Sequence, residues 1–194
     1  MSEDLKINRP IKGDVQFGST ARVPQKGVTE FLDAIDGLLA VDGVEDVAWV
    51  QYIPSFNDGD PCEFSVQEVY VKLDKRFFSE EELANMDEED DEDYGLEEQS
   101  RRASDYSLRK TNYSNPGRPE RVGLDYKEWQ KQDAIWREAN STYDLNGQDT
   151  RTIYDALAKL NMAEFEDVVR SNFGDNATVT ATTDGFEVDY YESY

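Results

Sequence analysis

The chain has 194 residues, with 43 acidic side chains against 20 basic ones, a net charge of -23 and no histidine. The missing histidine excludes Ser-His-Asp and Cys-His nucleophile systems, imidazole-based zinc sites and histidine pH switches, and the single cysteine, Cys62, leaves no internal disulfide or all-cysteine metal site. So much negative charge repels nucleic-acid phosphates and anionic lipid, while a hydrophobic share of 38% and a mean hydropathy of -0.79 predict that part of the chain stays solvated.

Residues 1–24 read as an extended arm, polar and punctuated by Gly and Pro, with strand-like pieces around 15–17. Val28, Phe31, Leu32, Ile35, Leu38 and Leu39 then fall on one face of a helix, which Gly43 ends. Residues 47–53 are apolar on both faces, as a central strand requires. Pro54 stops that strand, and Asn57, Asp58 and Gly59 suit a turn that reverses the chain. On the return, Cys62, Phe64 and Val66 share one parity while Val69, Val71 and Leu73 share the other. A bulge near Gln67 and Glu68 would restore the register and bring both sets to the core.

Residues 79–98 hold twelve acidic side chains and no basic one. Over 101–121 the sign reverses, with six basic residues against two acidic. Together, 79–121 read as a solvated polyampholyte insertion closed by a turn-rich linker at 114–119. A functional version has the acidic tract covering the basic arm, with Tyr106 and Tyr113, until a partner competes it away.

Helical patterning resumes with Asp125 as cap of a segment to about Asn140 that carries Tyr126, Trp129 and Trp136. Asp149 or Thr150 caps the next helix, with Ile153, Tyr154, Leu157 and Leu160 buried. Asn161 and Glu164 have capping-box spacing for a third helix, with Phe165, Val168, Val169 and Phe173 buried and Gly174 as its stop. The C-terminal alternation around Asp184-Gly185 signals a hairpin.

These elements predict a single two-layer α+β domain over 25–78 and 122–194, with a mixed or antiparallel sheet of about four strands in two hairpins and three to four helices on it. A doubly wound parallel fold fits poorly, because its phosphate-binding glycine loop is missing. No apolar run approaches the roughly 20 residues of a membrane span and the N-terminus lacks a signal pattern, so a cytoplasmic or virion location is expected.

Candidate chemistry is sparse. Asn57, Asp58, Asp60 and Glu63 are hard oxygen donors suited to calcium or magnesium, although the same residue types build tight turns. Asp144, Asn146 and Asp149 resemble part of a calcium loop, but the favoured reading is the end of one helix and the cap of the next. Cys62, next to Glu63, is expected to be a buried structural thiol. Trp49, Tyr52, Phe56, Phe64 and Tyr70 read as hairpin packing.

The string W-x-Q-Y-x-P-x-F-N-D-G-D-x-C-x-F-x-V at 49–66 resembles the signature of an uncharacterised family of tailed-virus and prokaryotic genomes. The resemblance spans the helix from Val28 and the hairpin to Leu73. It implies a viral or mobile-element origin and carries over no catalytic residue.

Three readings of the acidity stay open: adaptation to a salty, halophilic cytoplasm, mimicry of DNA, and an acidic tail on an ordinary domain. The expectation is a non-enzymatic acidic protein without a cofactor that binds a protein partner, host or virion. In its sharper form it is a DNA mimic that occupies a nucleic-acid-binding enzyme of the host, with Glu88, Glu89, Asp90, Asp91, Glu92 and Asp93 at the interaction surface. The alternatives are a virion structural or assembly component and a metal-dependent hydrolase using Asp58, Asp60 and Glu63.

Overall fold

A computed structural model describes residues 7–13, 23–53, 62–86, 101–123 and 125–190. Its centre is a mixed six-stranded sheet in the order β1-β10-β9-β2-β3-β4, made of β1 (Ile11–Lys12), β2 (Val44–Tyr52), β3 (Ser65–Leu73), β4 (Arg102–Ala103), β9 (Ala177–Thr182) and β10 (Gly185–Tyr190). The four long strands are the two hairpins read from the sequence. The doubly apolar β2 is central, antiparallel to both β3 and β9.

The helices α1 (Val28–Leu39), α5 (Arg151–Leu157) and α6 (Glu166–Phe173) supply the second layer. Phe31, Ile35 and Leu38 of α1 are fully buried, one per turn, as the spacing predicted. Phe31 of α1 and Phe173 of α6 meet the Trp49 ring edge-on at centroid separations of 6.1 and 5.7 Å. Phe186 of β10 completes the cluster, 5.1 Å from Phe173. The core is therefore an aromatic knot on one face of the sheet, where large rings fill volume with little rotamer entropy to lose.

The bulge lies where the parity change put it. Trp49 pairs with Val69 and Gln51 with Val66, so Gln67 and Glu68 together oppose Val50. Across this extra residue Phe64 and Val66 on one side, and Val71 and Leu73 on the other, all join the core cluster. The bulge leaves Gln67 and Glu68 exposed.

The segment 101–121 departs from the expected solvated excursion. Its start is the edge strand β4, antiparallel to β3, followed by α3 (Asp105–Leu108) and by β5 (Lys110–Thr111), which pairs with β6 (Ser141–Thr142). Ala103 and Leu108 enter the core. The cause is charge complementarity as much as burial: Arg101 donates to Glu45 at 3.0 Å and Arg102 to the buried Asp46 at 2.6 Å. Both arginines thus find acids on β2. The central tract itself, with Glu88, Glu89, Asp90, Asp91, Glu92 and Asp93, lies outside the described residues. Its start is described, as α2 (Glu80–Met86), where Ser79 and Glu82 cap each other reciprocally.

The turn-rich stretch 114–119 is likewise ordered, against α4 (Tyr126–Ala139), which Asp125 caps as expected by accepting from the Lys127 N–H. The Trp136 and Trp129 indole N–H groups donate to the carbonyls of Pro116 and Pro119 at 3.2 and 3.1 Å.

Two further expectations change. Asp144, Asn146 and Asp149 neither end a helix nor gather as a metal loop. They belong to a hairpin of β7 (Asp144–Leu145) and β8 (Gln148–Asp149), whose Asn146-Gly147 turn has φ of 52° and 81°. Positive φ at both positions matches the right-handed strand twist, and Asn-Gly is the pair that adopts it most readily. Asp149 does cap α5, accepting from the Arg151 N–H at 2.9 Å. Near the N-terminus, β1 runs parallel to β10 and Ile7 is buried, so this part of the arm is a sheet edge. The proposed pieces at 15–17 lie outside the described residues. Gly13, at φ 116°, permits the close approach of β1: a Cβ there would stand 2.0 Å from the Val188 carbonyl oxygen.

Candidate functional site

Past its two-residue ladder with β4, the edge of β3 opens onto a cleft of about 320 Å³. Glu68 and Val69 come from β3 and Asp105 from the first turn of α3. Tyr154, Leu157, Ala158, Leu160 and Asn161 come from α5 and the turn after it. The bulge contributes directly, because the extra residue carries Glu68 out of the alternating register toward the sheet edge; bulges commonly re-aim a side chain in this way.

The cleft's apolar lining includes Leu157 and Leu160, only 7% and 4% exposed. The rest is polar. Glu68 and Asp105 both line the cleft, and burial, reinforced by the Glu68 charge, pushes the Asp105 carboxyl above its ordinary value. Arg109 opposes the shift. The Tyr70 hydroxyl donates to Glu68 at 3.1 Å, and burial followed by the Glu68 charge raises its own pKa. Tyr154 is held between the Arg109 guanidinium, 4.7 Å from its ring centroid, and the Tyr143 ring at 5.1 Å. Burial raises its hydroxyl as well, with Arg109 acting against the rise. Asn161, expected to cap a helix, makes no side-chain cap bond to the 3-10 turn that follows it, because that turn and Phe165 intervene before α6 starts at Glu166. Its amide stands at the cleft instead.

A raised carboxyl pKa has a stability consequence with a definite sign. The folded state holds the Asp105 proton more tightly than the unfolded chain does, so ionising Asp105 costs stability as pH rises, a cost removed when pH falls below the unfolded value. Asp105→Asn, which removes the charge that burial and Glu68 disfavour, is expected to stabilise the protein at pH 7. The gain is less than about 1 kcal/mol because the group is partly solvated. Urea unfolding of both proteins between pH 3.5 and 7 checks it: the difference should shrink toward the acid end.

The residues singled out from the sequence fall elsewhere. Asn57, Asp58 and Asp60, with Phe56, lie outside the described residues, and Glu63 is half-buried before β3. Among the described residues, no group of three or more His, Cys, Asp or Glu side chains is placed to hold a metal ion. Cys62 is exposed, not buried, because the core contact preceding β3 is made by Phe64. Trp49 and Phe64 are core residues, as expected of hairpin packing. Among the described residues no helix is long and apolar enough to cross a membrane.

Fold and site together define a two-layer α+β domain with a cleft at a sheet edge, lined by two acids and by apolar side chains. Compared with protein-family models, curated proteins and solved structures, the chain matches none.

Proposed function

We propose that this chain is a non-enzymatic acidic protein that works by binding a basic protein partner. The observation that carries the reading is that part of the charge of -23 is displayed on rigid structure. Glu30, Asp33 and Asp36 recur at three-residue spacing on the exposed side of α1, which sets carboxylates near one another along the helix; Asp36 is paired with Arg9, a cation that a basic partner would displace. Fixed rows of like charge suit a basic groove, giving fast, salt-sensitive association. In its narrower form the partner is a nucleic-acid-binding enzyme and the carboxylates stand where phosphates would, in keeping with the viral origin that the 49–66 string implies.

Affinity capture of partners at low salt, followed by competition with duplex DNA, tests both forms. The expected result is a captured basic protein whose binding falls steeply between 50 and 300 mM salt and is displaced by duplex. Joint Asp33→Lys and Asp36→Lys substitution should weaken it by about tenfold or more. Salt-insensitive binding would overturn the reading; salt-sensitive binding that DNA does not compete would remove only the mimicry.

A further inference from the structure

The cleft beside β3 differs from the acidic surface around it. Surface carboxylates such as Asp33 stand on open helix faces, whereas Glu68 and Asp105 line a cavity of about 320 Å³ together with Val69, Leu157 and Leu160. A pocket of that size, combining apolar side chains with a few polar groups, is the usual form of a small-group binding site. Its polarity is also one-sided. Two carboxyl groups converge, the Tyr70 hydroxyl is already committed to Glu68, and the neighbouring cation, Arg109, lies against the Tyr154 ring.

We propose that the cleft binds an amphiphilic cation, an ammonium or guanidinium group on a short aliphatic stem, with the charge between Glu68 and Asp105 and the stem on Val69, Leu157 and Leu160. An anion would meet two carboxyl groups, and a purely apolar ligand would strand them without compensation. A divalent metal needs six or more oxygen ligands, which this pair does not offer. A stem of three to four methylenes can lie along apolar surface such as that of Leu157 and Leu160 while its head remains polar.

A cation bound beside Asp105 favours its ionised form, whereas burial and the Glu68 charge favour the protonated form when the cleft holds no cation, so binding releases protons in proportion to the fraction of Asp105 still protonated. The groups facing Asp105 are Glu68 from β3 and Arg109 beyond α3, with Tyr154 from α5 also at the cleft. Affinity should therefore rise with pH through the titration of Asp105.

The inference rests on the proposed function only for the source of the cation: a free amine, or a lysine or arginine side chain of the basic partner. Agmatine and a blocked lysine, N-acetyl-lysine methylamide, represent the two sources. Each is titrated into the full chain and followed by the methyl NMR signals of Leu157 and Leu160, and by calorimetry in two buffers of different ionisation heat. Saturable methyl shifts and buffer-dependent heat reporting proton release are expected. Asp105→Asn and Glu68→Gln should each weaken binding by about tenfold. Tighter binding of blocked lysine assigns the cleft to a protein side chain, and tighter binding of agmatine to a free amine. Absence of shifts with either cation, unchanged affinity in Glu68→Gln, or equal competition by uncharged hexanol would overturn the proposal. Agmatine binding in a protein that captures no basic partner would sink the proposed function while leaving the cleft assignment standing.

Discussion

Trp49→Ala is expected to cost about 4 kcal/mol of stability, the upper part of the range for emptying a large aromatic from a packed core. In a chain of this length that lowers the midpoint of thermal unfolding by on the order of 10 °C. Trp49 is fully buried and touches both layers, with its ring against Phe31 of α1 and Phe173 of α6. Its indole N–H donates to Gln51 Oε1 at 3.0 Å, and the Gln51 amide donates in turn to the Gly174 carbonyl at the end of α6. Truncation thus removes ring contacts and one link of a polar chain from β2 to the stop of α6. Trp49→Phe separates the two contributions: it keeps a ring but loses the donor, and should cost about 1–2 kcal/mol. Urea denaturation followed by far-ultraviolet circular dichroism measures both; equal costs for the two substitutions would contradict the packing account.

The same hairpin marks how far the sequence could be read. Apolar parity revealed the bulge, since Phe64 and Val66 cannot share a face with Val71 and Leu73 without an extra residue between them, and the structure sets that residue opposite Val50. Helices α1 and α6 were legible for the same reason: many large apolar residues repeat at helical spacing. The segment after 101 was not legible, because its anchoring needs only Ala103 and Leu108, too few for any periodicity. Its other anchors are ion pairs to Glu45 and Asp46, whose partnership with Arg101 and Arg102 is fixed by sheet order, not by spacing along the chain. The cleft was hidden as a consequence. Glu68 could be found as a bulge residue, but its partner Asp105 lay in a stretch whose composition argued for solvent. The Asn146-Gly147 pair was the one missed local signal, since that dipeptide between two short polar strands is itself a hairpin indicator.

The second large effect is expected away from the core, where Asp133→Asn should cost about 2 kcal/mol and release the 112–121 segment from α4. Asp133 is only 3% exposed and accepts from Arg118 Nε at 2.9 Å and Arg137 Nε at 2.7 Å. Arg118 lies 5.0 Å from the centroid of Tyr113 and 5.9 Å from that of Trp136. Without the carboxylate, two guanidinium groups are left facing the one Tyr113 ring. The arginines are 41% and 35% exposed, so the loss falls between that of a surface pair and that of a fully buried one. The hydrogen bond from Arg118, with further help from Arg137, holds the Asp133 carboxyl below its ordinary range. Its contribution is therefore complete above the unfolded carboxylate value, near 3.9, and is lost as pH falls through the lower folded value. Wild type and Asp133→Asn should accordingly differ at pH 7 and converge at strongly acid pH. The indole protons give a local readout: hydrogen exchange at Trp129 and Trp136, which donate to Pro119 and Pro116, should accelerate by about tenfold or more in Asp133→Asn. Exchange at Trp49 should change far less. Equal acceleration at all three tryptophans would mean that α4 and its strap do not open separately from the sheet.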